Sequence, residues 1–303
     1  MSEQIPFQKE MRFAYGVASP VAPGVRRLVA PNPGPMTDHG TNTYIIGRGN
    51  VAVIDPGPES PDHLHALLDE LAKTGERVTH ILITHTHLDH CAGLPALKQA
   101  TGALTAGFGS VGLRRTDTLG PGGRSFADGH FTPDIPLRDG EVLSGDDWEI
   151  TALHTPGHAP DHLCFAYAPA QALFSGDHVM GWNTSVIAPP EGHMGAYLDS
   201  LHRLLDYDHT AYFPGHGGWI NQPQRLVKAF IMHRRWRENE IIEALQTGAQ
   251  SVPDITAQVY TGLPEHLERA AQLSVLAHLE RLVETGRAET PGSISLEATF
   301  SLT

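Results

Sequence analysis

The chain has 303 residues, more than one ordinary domain needs, and 40% of them are hydrophobic, enough for a sizeable core and a smaller second module. A formal net charge of −13 argues against a protein whose main business is coating nucleic acid, because phosphate contacts need clustered Lys and Arg. The opening MSEQIPFQKE has no cationic stretch leading into an apolar one, no uncharged apolar run approaches the roughly 18 residues that span a bilayer, and two cysteines are too few for a disulfide framework, so a cytoplasmic chain without a membrane span is expected.

In chain order, Arg26 to Ala30 is predicted as a short strand, followed by the rigid loop Pro31-Asn32-Pro33-Gly34-Pro35. Thr41 to Ile46 and Val51 to Ile54 form a hairpin, closed by the turn Asp55-Pro56-Gly57. Pro61 to Lys73 places Leu64, Leu67, Leu68 and Leu71 on one stripe, which predicts an amphipathic helix. Val78 to Thr84 is short, β-branched and apolar, and reads as a buried strand.

Metal chemistry begins where that strand ends. His85 and His87 stand two apart, so an extended backbone points both side chains the same way; Asp89 and His90 follow, giving four ligand-type residues in six. The C-terminal end of a buried strand is where open α/β folds place their sites. Cys91 reads as a small hydrophobe opening the next helix rather than a ligand. That helix is predicted around Leu94 to Gln99.

Gly107 to Pro136 loses all periodicity, with Gly120-Pro121-Gly122-Gly123 inside it, and is expected to flank the pocket. Arg114, Arg115 and Arg124 within it are candidates either for an anionic substrate group or for plain solvation. Strands return at Glu141 to Leu143, Trp148 to His154, Leu163 to Tyr167 and Ala172 to Ser175; Cys164 is buried in the third of these. After them come three candidates for substrate contact, His178, Thr184 and Tyr197, the last on a helix from Gly195 to Leu205.

Composition changes after His216. Pro223 ends the first module, and Leu226 to Gln246 is a long helix with a basic middle, His233-Arg234-Arg235-Trp236-Arg237. Helices follow at Asp254 to Tyr260 and Glu265 to Glu284. Ile294, Leu296, Ala298, Phe300 and Leu302 then alternate with polar residues, which predicts a half-buried terminal strand. Three helices and a β element form a winged-helix pattern, giving domains of 1–225 and 226–303. Arg234, Arg235 and Arg237 would be its phosphate contacts, but many glutamates offset them, and a packing or dimerisation role is favoured over nucleic-acid binding.

The His85-Thr86-His87-Leu88-Asp89-His90 array resembles the signature of the metallo-β-lactamase superfamily, and three later segments fit the same order. His154-Thr155-Pro156-Gly157-His158 is similar to its TPGH turn, Ala172-Leu173-Phe174-Ser175-Gly176-Asp177 to its strand ending in Gly-Asp, and Phe213-Pro214-Gly215-His216-Gly217 to the motif carrying its last histidine. The resemblance implies an αββα sandwich. It implies His85, His87 and His158 on one divalent ion, Asp89, His90 and His216 on another, Asp177 bridging, and Asp55 supporting from behind. With the C-terminal pattern, the chain is similar to the lactamase-β-2-like branch.

What the resemblance implies for mechanism is a hydroxide bridging two ions about 3.5 to 4 Å apart, oriented by Asp89. Zinc suits the ligands, with iron or manganese as alternatives. A small ester, thioester or lactone is the expected substrate. Single-strand RNA or another phosphodiester is the alternative, and a one-iron oxidoreductase of the persulfide dioxygenase kind a further one. A homo-oligomer is compatible with all of them.

Overall fold

The computed structural model describes residues 5–111 and 127–303. Arg114, Arg115, Arg124 and the Gly120-Pro121-Gly122-Gly123 stretch lie outside the described residues. Seven strands make the first sheet in chain order: β1 (Ser19–Ala22), β2 (Val25–Val29), β3 (Asn42–Ile46), β4 (Asn50–Ile54), β5 (Arg77–Leu82), β6 (Leu104–Gly107) and β7 (Ile135–Pro136). The pairs from β1 to β4 are antiparallel, and those from β4 to β7 are parallel. A second sheet sets β8 (Val142–Ser144), β9 (Glu149–His154), β10 (Leu163–Tyr167), β11 (Ala172–Gly176) and β12 (Ala211–Pro214) side by side, with only β11 and β12 parallel.

Parallel neighbours need a crossover, and helices supply it. Helix α1 (Pro61–Thr74) joins β4 to β5, α2 (Leu88–Cys91) and α3 (Leu94–Thr101) join β5 to β6, and α4 (Met194–Leu204) lies between β11 and β12. Local chemistry fixes the ends of α1: the Ser60 hydroxyl accepts from His63 N, Pro61 occupies the first turn, and Gly75 stops the helix in the left-handed conformation at φ 69°.

Alternation along the strands divides the apolar residues between three layers of core. Tyr44, Ile46, Ala52 and Ile54 face Ile150, Ala152, Phe165 and Phe174 between the sheets. Their neighbours Ile45, Val51 and Val53 turn outward against Leu67, Leu71 and Leu97 of α1 and α3. On the far side, Leu153, Cys164 and Leu173 meet Tyr197, Leu198 and Leu201 of α4. The result is helix, sheet, sheet, helix, a mixed αββα sandwich.

Helix α5 (Pro223–Gln246) serves two cores. Leu226, Val227, Phe230 and Ile231 pack in the layer outside the second sheet, while Ile241, Ala244 and Leu245 pack with α6 (Val252–Val259) and α7 (Glu265–Glu284). Two of the three arginines in its basic middle, Arg234 and Arg237, point inward, while Arg235 is exposed. Arg234 is 4% and Arg237 9% exposed; Arg237 stacks over Tyr260 and donates to Glu240 and Val259 O. The predicted strand over Ile294 to Leu302 is corrected: only β14 (Ser301–Leu302) is a strand, pairing with β13 (Ala288–Glu289) as a small antiparallel wing. A turn closed by Ala298 N to Ser295 O leads into it, and Leu296 and Phe300 are buried from that turn rather than from a pleat.

Candidate metal centre

All four motifs meet at one end of the sandwich. His85 and His87 lie in the loop that follows β5, the β9–β10 connection carries His158, and Asp177 and His216 follow β11 and β12. Asn42 of β3 locks the sheets together there, its Nδ2 donating to Pro214 O and Gly217 O, both at 2.9 Å. Asp89 and His90 sit on α2, four residues long and too short to show a helical period in the sequence.

Each histidine of the cluster has one ring nitrogen committed to a partner behind it, and this fixes where the other lone pair points. Thr84 Oγ1 donates to Asp55 Oδ2 at 2.7 Å, so it is left to accept from His85 Nδ1 at 3.0 Å. His87 Nε2 donates to Glu191 Oε2 at 2.8 Å, and His158 Nδ1 to Val186 O at 2.6 Å. His90 Nδ1 donates to Asp55 Oδ2 at 2.9 Å, and His216 Nδ1 to Gly40 O at 3.2 Å.

The remaining nitrogens face one another. His87 Nδ1 is 3.0 Å from both His85 Nε2 and His158 Nε2. His90 Nε2 is 3.2 Å from His216 Nε2, which is 3.2 Å from Asp89 Oδ2. Asp177 lies between the two groups: Oδ2 is 3.4 Å from His216 Nε2 and 3.7 Å from His158 Nε2, and Oδ1 is 3.4 Å from His90 Nε2. Imidazole nitrogens and carboxylate oxygens gathered this closely in a buried pocket call for cations between them, and the buried Asp177 Oδ1 has no hydrogen-bond donor. The imidazole and carboxylate donor set fits divalent metal ions.

Electrostatics differ between the two groups. Burial pushes His85 well below the usual imidazole range, with His90 and His87 adding to it, and burial together with His87 brings His158 down to about 4. Burial also opposes charge on His90 and His216, but carboxylates outweigh it: Asp89 and Asp177 hold His90 well above its ordinary value, and Asp177 lifts His216 to about 9. Asp177 itself is buried, yet His216 and His90 keep its carboxyl well below the usual range. Cys91 is no part of this chemistry; burial raises its thiol to about 12 and its Sγ meets Thr86 O.

One glycine makes the close approach possible. A Cβ on Gly215 would stand 2.5 Å from Asp177 Oδ1 and 2.6 Å from His90 Cε1.

The family follows from this arrangement together with the match of residues 36–216 to the metallo-beta-lactamase superfamily profile. The chain belongs to the metallo-beta-lactamase superfamily. Residues 251–295 match the beta-lactamase associated winged helix domain. The beta-lactamase-like protein 2 homolog of Caenorhabditis elegans is 32% identical over 270 residues, 88% of this chain and 86% of that protein. The lactamase-like protein adaB of Aspergillus niger is 29% identical over 92% of this chain and 86% of its own length. An atrochrysone carboxyl ACP thioesterase of Cryptosporiopsis is 30% identical over 75% of this chain and 64% of its own length. Among solved structures, a beta-lactamase domain protein from Burkholderia ambifaria shares the fold with a TM-score of 0.79 at 19% identity, over 97% of this chain and 96% of that one.

Of the three substrate-contact candidates, His178 and Tyr197 pack against each other. His178 is buried, its ring 4.8 Å from that of Tyr197 and 5.7 Å from that of His162. Burial, then His158, pushes it down to about 3. The Tyr197 hydroxyl donates to His178 O at 3.1 Å, inside the layer under α4. Thr184 is half-buried in the loop after Asp177, with its N bonded to Asn183 Oδ1.

Other site residues escaped the sequence reading. Asp161 Oδ2 accepts from Thr86 N at 3.0 Å and so braces the turn between His85 and His87. His162 Nε2 accepts from Asp177 N at 3.2 Å, with Nδ1 against Thr155 Oγ1 at 2.9 Å. The adjacent Asp161-His162 pair, three residues past His158, was the available signal. Glu191 had none.

Proposed function

We propose that the chain is a binuclear metal-dependent hydrolase of a small ester, thioester or lactone, with zinc as its metal and the cytoplasm, where its two buried thiols stay reduced, as its compartment. The observation that carries this is the set of five imidazole nitrogens fixed from behind, with one carboxylate, Asp177, in reach of both groups. His85, His87 and His158 would hold one ion; Asp89, His90 and His216 the other; Asp177 would be shared. Ions held there would supply polarisation of a carbonyl oxygen and a water ionised nearer neutral pH.

The chain's own groups supply the rest. Asp89 is the one exposed ligand carboxylate, its side chain 32% accessible, and it faces the open side where it can orient a water by accepting its proton in a hydrogen bond. Thr184 is the candidate left for substrate contact, whereas His178 and Tyr197 stabilise the wall behind Asp177.

A carbonyl substrate is favoured over a phosphodiester by the charge beside the site. The small indentation next to His87 is bordered by Asp128, Asp161 and Glu191, and among the described residues no Lys or Arg borders it. Of Arg234, Arg235 and Arg237, the cations expected to meet phosphates, Arg234 and Arg237 are buried and only Arg235 is exposed. The thioesterase relative supports the same choice. The test is a side-by-side assay of short acyl thioesters, p-nitrophenyl esters, bis-p-nitrophenyl phosphate and single-stranded RNA. Thioester or ester hydrolysis lost on chelation and restored by zinc is expected; phosphodiester cleavage without acyl hydrolysis would refute the substrate class.

A further inference from the structure

Two of the three ligands in the first group are held by a single stretch of chain, residues 185–193. Val186 O takes the His158 Nδ1 proton and Glu191 Oε2 the His87 Nε2 proton. Between them the stretch folds back through Gly192 N to Ala188 O at 2.8 Å, and a Cβ on Gly192 would stand 2.2 Å from Ala188 N. A carboxylate or carbonyl on the far nitrogen orients a ligating imidazole and raises its basicity. The position of this stretch therefore sets the quality of the first site.

The same stretch is tied from its other side to the C-terminal part of the chain. Arg234 of α5 donates from Nη2 to Ser185 O at 2.5 Å, and its guanidinium lies over the Tyr197 ring, 5.5 Å from the centroid. Burying a guanidinium is costly without good partners. Glu284, the last residue of α7, accepts from His193 Nε2 at 2.9 Å. His193 Nδ1 meanwhile caps α4 by accepting from Ala196 N at 3.0 Å, which leaves the proton on Nε2 for Glu284. The second group is braced differently, by Asp55 after β4 and by Gly40 O before β3.

We propose that the C-terminal helices are a positioning element for the first metal site, with Arg234 and Glu284 as positioning residues that hold the 185–193 stretch against His158 and His87. This rests on the binuclear reading. It gives the winged-helix appendage a task within catalysis, without any nucleic acid. It also predicts selectivity, since disturbing the C-terminal contacts weakens one metal site and spares the other.

The test is zinc affinity measured by competition with a chromogenic chelator, in the otherwise wild-type chain and in a His216→Ala background where the first site is read alone. Arg234→Met weakens the first site roughly tenfold, the order found for partners behind metal ligands. Glu284→Gln weakens it less because that hydrogen bond is exposed. Arg234→Lys regains part of the loss, Glu191→Gln weakens the same site directly, and the second site is unchanged throughout. Should Arg234→Met fail to fold by circular dichroism, Glu284→Gln and His193→Asn, both at partly exposed positions, carry the test. Unchanged first-site affinity in folded variants, or equal weakening of both sites, overturns the proposal and leaves the binuclear reading standing. A wild-type chain that binds no zinc at His85, His87 and His158 overturns both.

Discussion

His63 braces the site from two layers back. Its Nε2 donates to Thr43 Oγ1 at 2.8 Å, and that hydroxyl donates to Asp55 O at 2.6 Å, behind the carboxylate that orients His90. Burial lowers its pKa from 6.5 to about 4. Above pH 6.5 the ring is neutral in folded and unfolded chains alike, and its contribution is fully present. As pH falls below 6.5 the unfolded chain takes up a proton that the folded one refuses, so stability is lost until about pH 4. Urea unfolding at pH 7 and pH 5 checks this: the stability of the wild type relative to His63→Gln falls by about 2 kcal/mol over that interval. A difference independent of pH would show that His63 is not held neutral.

At this scale, what the sequence revealed depended on spacing. His85, His87, Asp89 and His90 are legible because a strand and the turn after it bring near neighbours together without help from the fold. Glu191 and His87 are 104 positions apart, and His63 and Thr43 lie on different elements; such pairs exist only once the sheets have closed. The bond from the Tyr197 hydroxyl to His178 O, 19 positions apart, likewise exists only in the folded core.

Among the elements, long periodic segments were the readable ones. Helix α7 spans Glu265–Glu284 as its pattern predicts, and the alternation of β3, β4 and β9 to β11 places successive side chains in different cores. The last segment misled because positions 296 and 300 satisfy a period of two and a spacing of four at once. A turn at 295–298 uses the second, leaving Phe300 1% exposed in the C-terminal core with its N bonded to Gln250 O. Phe300→Ala should therefore cost 3 to 5 kcal/mol, roughly the loss from emptying a buried aromatic site. Chemical denaturation measures it, and a cost below about 1 kcal/mol would mean that the residue is not core.

For the molecule as a whole, the αββα sandwich brings the ends of β5, β9, β11 and β12 to one edge, and no single motif contains a complete site. The first ligand group draws on the β5 and β9 ends, the second on α2 and the β12 end, and Asp177 from β11 joins them. Helix α5 is shared between the outer layer of the sandwich and the C-terminal core. The sequence showed both parts but not this continuity, because a helix's periodicity says which face is buried and not against what.

The measurement that bears most directly on the account is metal content by elemental analysis of protein purified without added metal, beside the same analysis of His216→Ala. About two zinc ions per chain, falling towards one in the variant, is the predicted result. A single iron per chain, unchanged by His216→Ala, would contradict the binuclear hydrolase.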